Sequence, residues 1–384
     1  MLTIPNPSIS SAKIAPTLIP IYSVEDQSIF GYELKENLFL ENILNEIDNS
    51  FFNLAFSKLA ESKFQNNIFI NISVEELITD FENSIGLHSK IKKQISDLGL
   101  KSENIFLIIH DRNGNQRLDD LLTAVEFAKE LGFKIVLDGL GEEAYNLERL
   151  AALKPDIIRI NISFLNKSNQ GREFKSILAY LSDLSLSTGL ALFFEGITTE
   201  SQLHIALNSG TRFLQGNLLG EEIKEYLPLQ GNVKIRKELF ETFHQYKRKK
   251  ITEEISFETK LLDSLEATNI IIKKIGSNVL IDAQSIFKIS PAIKRVYITE
   301  WDGTQVSAYY EREGESGFKE NKSSLDKNWS YLPFFYKHVK KAFRNQEQWH
   351  MSEPYFDHSL NEKLIVFSKI IEGRLSIFID IACE

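Results

Sequence analysis

Asp138, Arg159 and Asn161 are the side chains in this sequence best placed to do chemistry. All three lie in residues 134–164, KIVLDGLGEEAYNLERLAALKPDIIRINISF. This stretch reads as a buried strand (134–138), a loop with Gly139 and Gly141, an amphipathic helix (142–154) and a second buried strand (157–162). Short apolar runs ending in a polar residue, with a helix-period segment between them, form a βαβ crossover. In a barrel of such units the chemistry sits where strands end, which selects these three residues. Arg159 does not deprotonate near neutrality, so it suits phosphate binding better than proton transfer. Two other strand-like runs also end in polar groups: residues 68–73 at Asn71 and Ser73, and residues 190–195 at Glu195.

The elements that must position these residues recur along the first 220 residues or so. A polar lead-in with three prolines (1–16) precedes two strand-like runs, 18–24 and 30–35, joined by the hairpin-type loop Glu25-Asp26-Gln27-Ser28. Helical periodicity then covers 37–64 and, in two pieces, 74–98; a strand at 105–110 and a helix at 118–131 follow. After the βαβ unit come a helix (173–185), a strand (190–195), a helix (199–208) and a short strand (212–216). This alternation predicts an α/β TIM-like barrel, with the opening hairpin as a departure from the plain pattern. From about residue 232 the texture changes. Residues 233–267 form a long charged helical stretch, and strands at 296–299, 306–310, 364–370 and 375–381, with turns at Asp302-Gly303 and Glu372-Gly373, predict a small α+β domain. The expected division is a barrel over 1–230, a connecting helix over 231–268 and a second domain over 269–384.

Composition narrows the function classes. The net charge of −9 and the absence of a basic stripe beyond Lys247–Lys250 argue against a nucleic-acid surface. One cysteine, Cys383, excludes a disulfide framework or a cysteine-based zinc site. No apolar run approaches the ~20 residues that span a bilayer, and no leader is evident, so the expected location is cytoplasmic. His110 and His204 read as surface or packing histidines.

The first half resembles the EAL-domain family, cyclic-di-GMP phosphodiesterases and their inactive relatives. The matching segments are Pro20-Ile21, Gly31-Tyr32-Glu33, Asn71-Ile72-Ser73, Leu137-Asp138 with Gly141, residues 155–161, Phe194-Glu195-Gly196 and residues 215–220. The resemblance implies hydrolysis of a phosphodiester by two divalent cations on a ring of oxygen ligands. Glu33, Asn71, Asp138, Glu195 and Gln215 stand at family positions. However, Ile108 and Gly139 replace two ligand carboxylates, Arg159 replaces the lysine that handles the water, and Asn161 replaces an aspartate. The family's ligand-contacting arginine is Asn37, and Glu142 and Glu143 line the aspartate loop; Arg149 is the one other cation expected nearby, and Asp111 holds the place of a loop-anchoring glutamate. Ligand or supporting losses each cost ~10–100-fold, so two-metal hydrolysis is expected to be abolished. Acidic groups without metals repel a dianion, so cyclic-di-GMP binding is expected to be weak or absent.

The second half resembles a PAS/Cache-type sensor domain, of the kind that follows the EAL domain in YkuI-type two-domain proteins. The residues that carry this are 328–331, 349–357, 365–368 and 378–381. It implies that Trp329, Tyr355 and Asp357 hold a small cationic or amphiphilic ligand through ring faces and a carboxylate. The expectation is therefore a catalytically inactive EAL-domain regulator or scaffold, homodimeric, with a protein partner and no metal cofactor. The alternative is a residual cyclic-di-GMP receptor or phosphodiesterase that uses Mg²⁺ or Mn²⁺ at an altered site, with Glu33, Asn71 and Asp138 as the candidate metal ligands.

Overall fold

The computed structural model describes residues 17–35, 66–83, 90–97, 99–110, 117–139, 147–163, 171–223, 237–276, 278–314, 317–342, 344–345, 348–371 and 374–382. The expected helix over 37–64, Asn37, Asp111, Gly141, Glu142 and Glu143 lie outside the described residues. The chain divides into two compact units, Met1–His244 and Gln245–Glu384.

The first unit is a closed eight-stranded barrel in sequential order. Its strands are β1 (Thr17–Ser23), β2 (Ser28–Lys35), β3 (Asn67–Ser73), β4 (Ile105–His110), β5 (Lys134–Asp138), β6 (Ile157–Asn161), β7 (Ala191–Glu195) and β8 (Phe213–Leu214). β1 runs antiparallel to both β2 and β8, and the remaining neighbours are parallel, so the predicted hairpin is the irregular part of an otherwise (β/α) wall. The helices are α1 (Val74–Glu82), α2 (Lys90–Asp97), α3 (Leu118–Glu130), α4 (Leu147–Leu153), α5 (Gly171–Thr188) and α6 (Glu200–Asn208).

Strand alternation sorts side chains between two cores. In β6, Ile158 and Ile160 join the core beneath the helices, whereas Ile157 joins the barrel interior with Ile21, Phe69, Ile108, Val136 and Phe193. Arg159 and Asn161 share the inward parity of Ile157. Each fully buried Ile or Leu in such a core is worth about 1.5–3 kcal/mol, which the strands collect on both faces. Two helices after strand ends start with reciprocal capping boxes, Ser73–Glu76 on α1 and Thr199–Gln202 on α6. These satisfy amide groups that would otherwise be orphaned at the mouth of the barrel.

Helix α7 (Lys237–Ala267) is 31 residues long. Leu239 and Phe240 belong to the barrel's outer core, and Leu261 and Leu265 to the core of the second unit. The second unit holds a small hairpin, β9 (Ile272–Ile275) with β10 (Asn278–Ile281), then α8 (Ala283–Phe287), and an antiparallel sheet. That sheet is ordered β13 (Gly317–Asn321), β12 (Tyr309–Glu313), β11 (Ile293–Glu300), β17 (Leu375–Ala382), β16 (Glu362–Ile370), β14 (His350–Met351), with β15 (Tyr355–Asp357) also on β16. The strand expected at 306–310 starts later, because Val306 and Ser307 return to Ile298 through backbone bonds before the ladder with β13 begins. One face of the sheet, Val296, Ile298, Phe367, Ile377 and Ile379, is apolar. The other face carries Tyr297, Tyr309, Val366 and Phe378 under α9 (Pro333–Ala342), which contributes Phe334 and Phe335.

Candidate functional site

At the C-terminal end of the barrel strands, one buried guanidinium gathers three carboxylates. Arg159, on β6, donates from Nη1 to Glu33 Oε1 at 3.0 Å and from Nη2 to Asp138 Oδ2 at 2.7 Å. Its Nη1 also lies 3.4 Å from Glu195 Oε2. Arg159 is 4% and Glu33 1% exposed, so this is an interior cluster and not a rim of solvated charges. The neighbouring strands complete it: Asn71 Nδ2 and Gln215 Nε2 each donate to Glu33 at 2.9 Å. Asn161 Nδ2 donates to Glu195 Oε1 at 2.9 Å and, with its own oxygen, accepts from the Ser163 amide.

His110, expected as a packing or surface residue, is instead part of the cluster. Its Nδ1 lies 2.7 Å from Asp138 Oδ2 and its Nε2 is 2.8 Å from Asn71 Oδ1. His110 thus ties β3 to β5 across β4. His204 does pack, with its ring 5.5 Å from that of Phe243. Arg149 is buried on α4, and among the described residues the three carboxylates are held by Arg159, His110, Asn71, Gln215 and Asn161.

The charges respond to this geometry. Burial alone would raise the carboxyl of Glu33, but Arg159, Asn71 and Gln215 together hold it below the ordinary carboxylate value. Burial likewise opposes ionisation of Asp138, and hydrogen bonds from His110 and Arg159 pull it well down. Burial works against the charge on Arg159, yet the three carboxylates push its pKa upward. Glu195 goes the other way: burial raises it, and Arg159 only partly offsets that. One cation among three acids leaves the outermost of them the most ready to take a proton.

The donor set does not suit a pair of divalent cations as it stands. Both oxygens of Glu33 accept from protein donors, Asp138 Oδ2 accepts from Arg159 and His110, and the Arg159 guanidinium lies among all three acids. Ile108 is fully buried in the apolar interior beside Asn71, and Gly139 takes a positive φ of 96° and brings no side-chain ligand atom. The structure brings together all six residues expected here, Glu33, Asn71, Asp138, Arg159, Glu195 and Gln215, and adds His110.

A second polar cluster lies on the aromatic face of the sheet in the other unit. Arg295 on β11 donates from Nε to Asp380 Oδ2 and from Nη2 to Asp357 Oδ2, both at 2.6 Å, and from Nη1 to Ser359 at 3.1 Å. Its guanidinium sits 4.4 Å from the centre of the Tyr309 ring, a favourable cation–π distance. Burial lifts the Asp380 carboxyl above its ordinary value despite Arg295, and its Oδ1 has no hydrogen-bond partner among the described residues. The three expected ligand residues all border this face. Tyr355 packs on Phe334 at 5.0 Å, and Trp329 stacks on Tyr309 at 5.9 Å while its indole donates to Gln305 at 2.7 Å. Asp357 is engaged on both oxygens, by Arg295 on one and by Ser359 and Leu360 on the other. Sequence reasoning missed Arg295 and Asp380, whose only local signal is a charged residue at an inward position of an alternating strand.

An eight-stranded barrel with one antiparallel opening strand, acidic and amide side chains at its strand ends, and a sheet domain after a long helix define an EAL-type two-domain protein. Residues 38–222 match the EAL domain and residues 231–384 the EAL-domain associated signalling protein domain, so the chain carries one domain of each kind. The uncharacterized EAL-domain containing protein YkuI of Bacillus subtilis is 23% identical over 390 residues, which is 96% of this chain and 94% of its own length. A crystal structure of that YkuI protein, in complex with cyclic-di-GMP and calcium, shares the fold with a TM-score of 0.79 at 22% identity, over 96% of each chain. The probable cyclic di-GMP phosphodiesterase PdeA of Escherichia coli is 26% identical over 121 residues, 32% of this chain and 17% of its own length.

Proposed function

We propose that this chain is a non-hydrolytic EAL-domain protein of cyclic-di-GMP signalling, acting as a regulator or scaffold, with a PAS/Cache-like second domain that senses a small ligand. The observation that carries the first part is the seat of Arg159, within hydrogen-bonding distance of Glu33 and Asp138 and 3.4 Å from Glu195. A fixed guanidinium supplies positive charge among the three acids, but it does not activate water as a divalent ion would. The sensor reading rests on the resemblance of the second domain and on Trp329, Tyr355 and Asp357 bordering one aromatic and charged face of its sheet. The chain is further proposed to work as a homodimer with a protein partner, without a metal cofactor and in the cytoplasm; no helix among the described residues is long and apolar enough to cross a membrane.

A second reading, a residual receptor or phosphodiesterase with an altered Mg²⁺ or Mn²⁺ site, draws on the convergence of Glu33, Asn71, Asp138, Glu195 and Gln215, and on the cyclic-di-GMP and calcium bound to YkuI. Calorimetric titration of the full chain with cyclic-di-GMP, with and without Mn²⁺, separates the two. The expected result is no hydrolysis and no manganese-dependent gain in affinity. Turnover, or binding that tightens with manganese, selects the second reading.

A further inference from the structure

The barrel has an opening at the end opposite Arg159. A cavity of about 950 Å³ lies there, bordered by residues at the starts of the parallel strands, among them Phe106, Lys134, Ile157, Ala191 and Phe213. Sites that hold small molecules run to roughly 300–1,000 Å³. The floor is aromatic: the Phe30 ring lies 4.5 Å from Phe213 and 5.6 Å from Phe106, and Phe106 stacks on Phe69 at 4.3 Å. One wall is apolar, formed by Leu150 and Ala151 of α4 and Leu184 of α5.

The rim is cationic. Among the described residues that line the cavity, Lys134, Lys154 and Arg212 stand against one carboxylate, Asp156. That carboxylate is committed to the strand ends: one oxygen lies 3.4 Å from Lys134 Nζ and the other accepts from the Ile135 amide. Arg212 faces Glu25 at 3.6 Å, with both side chains largely exposed, and such a pair contributes little. In a chain of net charge −9, a basic rim over a phenylalanine floor reverses the prevailing sign.

We propose that this cavity is a second binding site of the barrel, for a small amphipathic anion. Its apolar body would lie on the Phe30–Phe213 floor, and its carboxylate, sulfonate or phosphate would face Lys154 and Arg212. Burying the body supplies most of the affinity, and the rim charges select the anion over a neutral analogue. Because the site lies at the opposite strand ends from Glu33 and Asp138, it operates with the Arg159 cluster intact.

The test uses full-length protein and two fluorescent probes of similar aromatic body. One is 1-anilinonaphthalene-8-sulfonate, and the other is uncharged N-phenyl-1-naphthylamine. Lys154, Thr188 and Arg212 are exposed, so substitutions there spare the core. The sulfonate is expected to bind saturably at one site per chain. Lys154→Glu with Arg212→Glu should weaken it about tenfold while changing the neutral probe less than about twofold. Thr188→Trp, which fills the cavity from the end of α5, should abolish both. Sulfonate affinity unchanged by the charge reversal, or binding that survives the tryptophan, overturns the proposal.

Discussion

Arg159 is the residue on which the barrel's chemistry turns, because removing a buried cation exposes what its partners need. Arg159→Met keeps the volume of the stem but leaves Glu33 and Asp138 buried without a counter-ion, a loss of about 3–5 kcal/mol in urea unfolding. The same variant should gain thermal stability from added Mn²⁺, which wild-type protein should not; if both respond alike, Arg159 does not stand in for a metal. His338 offers a pH test. Burial depresses this imidazole from 6.5 to about 4, with Nε2 held by Ser376 at 3.0 Å. Between those values the unfolded chain binds the proton and the folded chain does not. Its contribution is therefore present above pH 6.5 and lost as pH falls toward 4, by up to about 3 kcal/mol. His338→Phe should flatten the stability profile across that window, and an unchanged slope would refute the assignment. The six expected residues of the Arg159 cluster were legible because they lie at strand ends in family order. His110 was not, since its partners Asn71 and Asp138 lie 39 and 28 residues away and no local pattern marks the ring as inward.

Elements place these groups with little freedom, and the turn after β8 has the least. A side chain at Gly216, whose φ is 153°, would collide with the backbone nitrogen and carbonyl of Ile197, neither of which can yield as a flexible side chain would. Gly216→Ala should therefore cost about 2–4 kcal/mol and, by shifting Gln215, loosen its bond to Glu33. Chemical denaturation measures the first effect, and a substitution costing less than about 0.5 kcal/mol would show that the turn can relax. The strands of the barrel were readable as apolar runs because each is buried on both faces and bounded by polar residues. The second sheet was less so. β14 and β15 are only two and three residues long, too short for a period to register, and β13 is largely exposed and polar. Arg295 sits between Lys294 and Val296 in a strand whose alternation suits a solvated charge equally well. Only its partners, Asp357 and Asp380, 62 and 85 residues away, reveal it as interior.

For the molecule as a whole, the two units are each built around a buried arginine with carboxylate partners, and α7 is the element whose residues enter both cores. Its surface bears on assembly. Ile251 and Ile255 are 50% and 56% exposed and lie one turn apart, so they form one apolar strip. Beside them Lys249–Glu253 and Lys250–Glu254 provide charged flanks. Single exposed apolar residues are ordinary on a protein surface, but a paired strip on a helix is what a second copy of the same helix can cover. The proposed homodimer should therefore appear by light scattering at twice the 44.0 kDa chain mass. Ile251→Glu with Ile255→Glu should return it to a monomer without lowering the unfolding midpoint of either unit, because neither residue contributes to a core. A wild-type monomer at all concentrations would refute the homodimer, whereas a dimer that survives both glutamates would place its interface away from this strip.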